Sequence, residues 1–269
     1  MSIKAKLKRS PWISFIAKTG LIAKGIVYCL VGLLAFMVAF QLRSANVDND
    51  KQGVFKLILE QPYGKILLGV ITLGLVCYSI WRFVQSFFNT SNKNDDARGY
   101  GKRFSYFFSG LTYLAICLLA ANILLGNRGS GGNSRQEMVS DLLNKPGGQW
   151  LVAIIAAIMA GMGIYQIIYG FSEKYKKHIN SQELERDVSA SLLRAGKVGY
   201  VSRGLVWLII SFLFFKAAFH QRSSEAGDTS SAFEFIKEGP FGTWLLAALA
   251  LGLICYGVMN FIRAAYERI

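Results

Sequence analysis

Acidic residues are scarce in this sequence, and none of them falls within its long apolar stretches. The 269 residues include 16 Asp and Glu against 30 Lys and Arg, which gives a formal net charge of +14. Acid–base and metal-assisted catalysis both need carboxylates, histidines or other ligands grouped at suitable spacing. The two histidines, His178 and His220, are predicted at opposite faces of a membrane. We therefore expect this protein not to be an enzyme.

Metal-binding and redox motifs are missing as well. The four cysteines lie in apolar runs, at spacings that match neither a zinc site nor a redox pair. Buried free cysteines usually behave as small hydrophobic residues. We therefore expect no metal and no cofactor, and assign a packing role to all four cysteines. They are Cys29, Cys77, Cys117 and Cys255.

Charged residues of either sign make up only 17% of the chain, against roughly 25% in average soluble proteins. They are nearly absent from six apolar blocks, most of which reach the ~20 residues that a helix needs to cross a bilayer. The blocks are apolar on every face, which argues against a soluble helical core. The sequence therefore predicts an all-α integral membrane protein with six transmembrane helices. The blocks are residues 21–40, 65–88, 104–125, 150–171, 204–219 and 241–262.

The basic residues are distributed unevenly between the two predicted faces of the membrane. Segments on one face hold 19 Lys and Arg, and segments on the other hold nine, with Arg82 and Lys216 left out because they lie within spans. This asymmetry follows the positive-inside rule and predicts that both termini are cytoplasmic. Anionic lipids of the inner leaflet are sufficient to explain the positive charge. The expected partners are therefore the lipid bilayer, its anionic lipids and an unidentified membrane protein, and not nucleic acid.

An internal repeat organises the chain. Three of the four prolines stand just before an apolar run, and each follows a glycine of the preceding run by 37, 36 and 36 residues. Such constant spacing is the signature of a tandem repeat. Each repeat consists of a first span, a polar loop with a short surface helix, and a second span that the proline is predicted to open. The shared positions are Gly25, Gly110 and Gly204; Pro62, Pro146 and Pro240; and Tyr28, Tyr113 and Trp207.

These shared positions suggest packing roles. Small residues let helices approach closely in lipid, so the glycines are predicted to lie at helix contacts. The aromatic residue three positions later is expected in the interfacial aromatic belt. Lys24 and Arg203, which directly precede two of the glycines, are expected to extend to the lipid headgroups.

The repeat divides the chain into five segments. Two of them are basic and are predicted to contain amphipathic helices, over residues 3–17 and 181–195, that lie on the inner leaflet. A solvated cytoplasmic helix is the alternative for the second. The segments are a basic N-terminal segment (1–16), repeat one (17–90), repeat two (98–172), a basic cytoplasmic connector (173–197) and repeat three (198–269).

The repeat also brings three polar residues into register. Arg82, Gln166 and Asn260 each stand 20 residues after a proline. Three parallel two-helix repeats can close into a pseudo-threefold ring, although an open row of hairpins is an alternative. In a ring, the three residues would form a polar interior site at which Arg82 attracts an anion. Otherwise, Arg82 extends to water and the two amides bond neighbouring helices, which is the interpretation we favour.

The aligned repeats resemble a family of bacterial membrane proteins catalogued as domain of unknown function 1206, which has three tandem two-helix repeats. Repeat two matches least well, because Ser109 replaces the basic residue before Gly110. The resemblance implies a bacterial inner-membrane protein and supplies no activity. The matching strings are Lys24–Tyr28, Val31–Ala35, Gln61–Gly64 with Tyr78, Trp81 and Arg82, and Arg203–Trp207.

Two functions from different classes fit these observations. The shared positions of the repeat carry no catalytic signature, and the spans lack acidic residues. Both observations favour a membrane-embedded scaffold or accessory subunit. The alternative is a transporter or channel for a small solute or anion that uses the pseudo-threefold interior. The orientation of Arg82, Gln166 and Asn260 in a structure is what separates the two.

Overall fold

A computed structural model describes residues 11–40, 55–56, 58–59, 63–88, 97–126, 133–173, 175 and 186–266. These residues form helices and turns, with no β-strand among them. The helices are α1 (Pro11–Ala39), α2 (Gly64–Phe88), α3 (Ala97–Leu124), α4 (Asn133–Leu143), α5 (Gly148–Phe171), α6 (Arg186–His220), α7 (Thr229–Lys237) and α8 (Gly242–Tyr266), with one 3₁₀ turn at Ser223–Glu225.

Six of these helices are long and apolar enough to cross a membrane, namely α1, α2, α3, α5, α6 and α8. Their spans are 19 to 27 residues long, which matches the length that a bilayer requires. The prediction of an all-helical, multi-pass membrane protein is confirmed. The shorter helices α4 and α7 lie between the two spans of repeats two and three, and the corresponding stretch of repeat one is helical at residues 55–56 and 58–59.

The basic segments do not form separate helices where the structure describes them. Residues 11–16 are the first turns of α1, and residues 186–197 are the first turns of α6, which runs without interruption to His220. The prediction of surface helices is therefore wrong for these residues. Gly196 and Gly199 do not break α6, because each provides room for a packed neighbour, Tyr175 and Tyr256 respectively. Residues 1–10 and 181–185 lie outside the described residues.

The six spans pack side by side in the order α3, α2, α1, α8, α6, α5. Neighbours run antiparallel, as the contacts of Gly20 with Tyr78 and of Gly74 with Ala23 show for α1 and α2. We call the end of the bundle where residues 89–105 and 172–198 join the repeats the linker end. The opposite end, where each repeat turns back, is the hairpin end. Although α3 and α5 belong to one repeat, they barely touch.

The repeat glycines lie at contacts between different repeats. Each glycine faces the residue that stands 21 positions after the proline of another repeat. The pairs are Gly25 with Phe261, Gly110 with Phe83, and Gly204 with Ile167. These glycines therefore lie at helix contacts, and all three contacts between repeats use a single register.

A left-handed residue precedes the second span of every repeat. These residues, with their φ angles, are Tyr63 (61°), Gly147 (75°) and Phe241 (58°). In repeat three, the Gly242 N–H donates to the Gly239 carbonyl at 3.0 Å, so that Pro240 occupies the second position of a tight turn. Pro146 lies in an equivalent turn, whereas Pro62 is outside the described residues. The prediction that the prolines open the helices is wrong for Pro146 and Pro240, because each helix begins two residues later.

Candidate functional site

Lys24 lies inside the bundle, on the part of α1 nearer the linker end. Only 2% of its surface is exposed. Its Nζ donates to the hydroxyl of Tyr78 at 3.2 Å. The same atom lies 5.0, 5.3 and 5.0 Å from the ring centres of Tyr78, Tyr113 and Tyr256, which come from α2, α3 and α8. Cation–π attraction at such distances stabilises a desolvated ammonium, so the prediction that Lys24 extends to the headgroups is wrong.

Gly20 explains why Tyr78 can reach Lys24. A Cβ at Gly20 would lie only 2.5 Å from the Cβ of Tyr78, so α1 and α2 approach here as closely as a glycine permits. Lys24 stands one helical turn after Gly20 and therefore faces the same neighbour. The backbone contact of Gly20 thus brings the phenol of Tyr78 against the ammonium.

Repeat three builds the same arrangement with equivalent residues. Arg203 Nη1 donates to the hydroxyl of Tyr256 at 2.6 Å, and the guanidinium lies 4.9 Å from that ring and 5.2 Å from the ring of Tyr28. A Cβ at Gly199 would meet the backbone of Tyr256, just as one at Gly20 would meet Tyr78. The prediction that Arg203 extends to the headgroups is therefore also wrong.

Arg82 extends this cluster along α2. Its Nε donates to the Tyr78 hydroxyl at 2.9 Å, and its Nη1 donates to Gln85 Oε1 at 2.9 Å. The Tyr78 oxygen therefore accepts from Lys24 and Arg82 together. Tyr256 in turn lies between Lys24 and Arg203. Cations and phenols thus alternate in the order Arg82, Tyr78, Lys24, Tyr256, Arg203, and we call these five residues the tyrosine–cation array.

The array contains three positive charges and more hydrogen-bond donors than acceptors. No Asp or Glu occurs in any of the six spans. Lys and Arg side chains can only donate, so the phenol oxygens are the only side-chain acceptors within the array. Among the described residues, the buried Arg203 Nε and the hydroxyl of Tyr113, which packs against the array, have no hydrogen-bond partner. Charges buried in a membrane are costly unless compensated, and an anion with several oxygen atoms would supply the missing charge and acceptors.

The repeat aromatics contribute to this interior rather than to the membrane interface. Tyr28 packs edge-on against Tyr256 with ring centres 4.8 Å apart, and Tyr113 packs the same way against Tyr78 at 4.5 Å. Tyr28 and Tyr113 are both buried, whereas Trp207, their counterpart in repeat three, is half-buried. The prediction of an interfacial belt is therefore wrong for Tyr28 and Tyr113.

The three polar residues predicted as an interior site are all at least partly buried. Gln166 and Asn260 are buried, and Arg82 is half-buried. Asn260 donates to the Tyr256 carbonyl of its own helix at 2.6 Å. The side-chain oxygens of Gln166 and Asn260 are buried and have no partner among the described residues. In the described part of the chain, no hydrogen bond joins any two of the three, and of these residues only Arg82 bonds to a phenol of the array.

Sequence reasoning missed Lys24, Arg203, Tyr78 and Tyr256 as site residues, although their pattern carried a signal. The basic residue before the repeat glycine and the tyrosine 16 residues after the proline occur together in repeats one and three. Both are replaced in repeat two, by Ser109 and Met162. Two positions that change together are expected to touch, and here they form the hydrogen-bonded pairs.

A stack of further tyrosines closes the array on the linker side. Tyr200 packs against Tyr256, Tyr169 and Tyr175, with ring centres 5.2, 4.9 and 5.4 Å apart. Arg263 Nη1 donates to the Tyr200 hydroxyl at 3.4 Å. Tyr175 lies outside the spans, and its burial, with the nearby charge of Glu173, raises its pKa to about 12.

The fold and the array define a multi-pass integral membrane protein, built from three two-helix repeats around a buried cluster of cations and tyrosines. The chain belongs to the family described as Domain of Unknown Function (DUF1206), which matches residues 19–89, 104–173 and 198–267. This confirms the resemblance and the three tandem repeats. The chain is also 29% identical over 264 residues to "Uncharacterized protein YxxB" of Bacillus subtilis (strain 168), covering 98% of this chain and 94% of that protein. No solved structure matches the chain.

Proposed function

We propose that this membrane protein binds an anion at the tyrosine–cation array. The observation that carries the proposal is the position of three cations around shared phenols, with Lys24 buried and Arg82 and Arg203 partly buried, in spans that contain no acidic residue. An anionic ligand would offset the repulsion among the three cations. It would also accept from the unpartnered Tyr113 hydroxyl and Arg203 Nε. This favours the anion-binding function over the scaffold that the sequence alone suggested.

We also propose that both termini lie in the cytoplasm and that the protein resides in a bacterial inner membrane. The 19-to-nine distribution of basic residues and the bacterial relative support this orientation. The linker end would then face the cytoplasm, with the array in the cytoplasmic half of the bilayer. A pseudo-threefold relation among the repeats is part of the proposal, supported by the single register of the contacts at Gly25, Gly110 and Gly204.

Thermal unfolding of the purified protein with and without inorganic phosphate or sulfate tests anion binding. A ligand at 100 times its Kd stabilises the folded state by ~2.7 kcal/mol. For a protein of this size that corresponds to an increase in Tm of roughly 5–10 °C. We expect this increase for the native protein and for Lys24→Arg, which keeps the charge, and not for Lys24→Met.

Lys216→Met is the matched control. Lys216 is also a cation within a span, but it lies at the hairpin end, is 46% exposed and pairs with Glu225 at 3.8 Å. Its loss should leave the anion-dependent increase in Tm intact. Two results would refute the proposal: an equal anion-dependent increase in Tm for the Lys24→Met and Lys216→Met proteins, or no increase for the native protein with either anion. The scaffold function would then be the better interpretation.

A further inference from the structure

The spans α3 and α5 of repeat two are separated, whereas the two spans of repeat one pack closely together, as do those of repeat three. In repeat one, Gly74 lies against Ala23, and in repeat three, Gly252 lies against Ser202. The equivalent residues of repeat two are Ile158 and Phe108. Two bulky side chains therefore replace two small ones at the point where these helices would have to meet. We call the resulting gap the α3–α5 cleft.

The cleft also lacks the polar contact that joins the spans of the other repeats. The pairs Lys24–Tyr78 and Arg203–Tyr256 are hydrogen-bonded, but their counterparts in repeat two are Ser109 and Met162, which cannot form such a bond across the gap. Exposure follows this difference. Tyr165 is 53% exposed, whereas Met259, at the same position of repeat three, is 1% exposed.

The cleft leads from the lipid phase to the array. Arg82 lies with its guanidinium 5.2 Å from the ring of Tyr106 on α3. It also interacts electrostatically with Tyr165 on α5. Both walls of the opening therefore carry a tyrosine next to the first cation of the array. Deeper in the membrane the wall on α5 is apolar, with Ile158 41% exposed.

The depth of Arg82 fits the headgroup of a lipid. It stands five residues before the linker end of its span, which is about 7.5 Å along the helix. An arginine side chain at that depth reaches the phosphate of a phospholipid, to which it can donate two parallel bonds. The acyl chains of the same molecule would fill the apolar gap between α3 and α5. A soluble anion, by contrast, gains nothing from an apolar opening toward lipid.

We infer that the α3–α5 cleft binds an anionic phospholipid, with its phosphate at Arg82 and the array and its acyl chains between the two helices. This inference rests on the proposed anion-binding function and names the source of the anion. The negative headgroup charge complements Arg82, Lys24 and Arg203. A zwitterionic lipid offers a phosphate as well, but its ammonium group is repelled by the same cations.

The test uses the full chain in nanodiscs that contain equimolar phosphatidylglycerol and phosphatidylcholine. Native mass spectrometry then counts the lipids that stay bound to the released protein. We expect phosphatidylglycerol to be retained at least several-fold over phosphatidylcholine. Arg82→Met should bring this ratio close to one. Gly161→Trp should do so by filling the cleft, because a Cβ at Gly161, on the same face as Ile158 and Tyr165, meets nothing within 4 Å.

Gly69→Trp on α2 is the matched control, since a Cβ there meets only Leu124, at 3.9 Å. This variant should keep the native ratio. Equal retention of both lipids by the native protein, or equal losses in the Gly161→Trp and Gly69→Trp proteins, would overturn the inference. If inorganic phosphate still raises Tm in that case, anion binding stands and only the lipid is excluded. If neither lipid nor phosphate binds, both proposals fail. A second copy of the chain in the cleft, seen as a lipid-free dimer, would also overturn the inference.

Discussion

Gly20→Ala tests whether close helix contact positions the array. A Cβ at Gly20 would lie 2.5 Å from Tyr78 Cβ, 2.6 Å from its Cα and 2.8 Å from its backbone N, where 3.4–4 Å is ordinary contact. Because two of these atoms are backbone, no side-chain rotation relieves the clash, and α1 and α2 must separate by about 1 Å. Overpacking of this kind typically costs ~1–3 kcal/mol. We therefore expect a lower Tm in detergent.

The same shift should weaken anion binding. The bond from Lys24 to the Tyr78 hydroxyl is already 3.2 Å long, so a further ångström breaks it. The anion-dependent increase in Tm should therefore shrink in the Gly20→Ala protein. Gly161→Ala is the control, because its Cβ meets nothing within 4 Å and its stability should stay within ~0.5 kcal/mol of the native protein. Equal stability of the two variants would refute the reasoning.

Three further predictions follow from other contacts. Ultraviolet titration should show that Tyr175→Phe removes a phenol with a pKa of about 12. Folding raises this pKa, so the protonated Tyr175 contributes to stability below pH ~10. That contribution is lost as the pH rises from ~10 through about 12. Phe241→Gly should stabilise the protein in detergent by ~1 kcal/mol, measured by thermal unfolding, since Phe241 has a φ of 58° that glycine adopts without strain. Ser109→Lys with Met162→Tyr should introduce the polar pair of repeats one and three into repeat two. Cysteine crosslinking should still find α3 and α5 apart in this variant, because Ile158 and Phe108 keep the helices separated. Adding Ile158→Gly and Phe108→Ala should bring the two helices together.

The spans and the repeat could be predicted because they depend on local sequence. Run length and apolar content define each span, and the spacing of Pro146 and Pro240 from their glycines defines the period. The exact role of those prolines could not be predicted in repeat three, because the residue after Pro240 has the left-handed conformation without being of a type that favours it. Phe241 adopts it although it is neither glycine nor asparagine.

The burial of Lys24 could not be predicted from its position in α1 alone. A lysine that far from a helix end could reach the headgroups if its face of the helix were turned to lipid. The rotation of α1 is set by its contacts with other helices, because Gly20 packs against α2 and Gly25 packs against α8. These contacts join residues far apart in sequence, and they turn Lys24 toward three tyrosines. Ser109 showed in the sequence that repeat two differs from the other two repeats. The separation of α3 from α5 could not be predicted, because it depends on the volumes of side chains that face each other across the two helices.

The packing of α1 against α8 also has a consequence for how the protein is made. The first span finds its main neighbour in the last one, through contacts such as that of Gly32 with Ala250. Ribosomes add roughly 5–20 residues per second, so about 10–50 s separate the synthesis of the two helices. During that interval Lys24 sits in the bilayer without Tyr256, one of its three rings. Release of the chain before α8 is inserted should therefore leave α1 without its main packing partner, so the packing of the bundle depends on the last helix to be made.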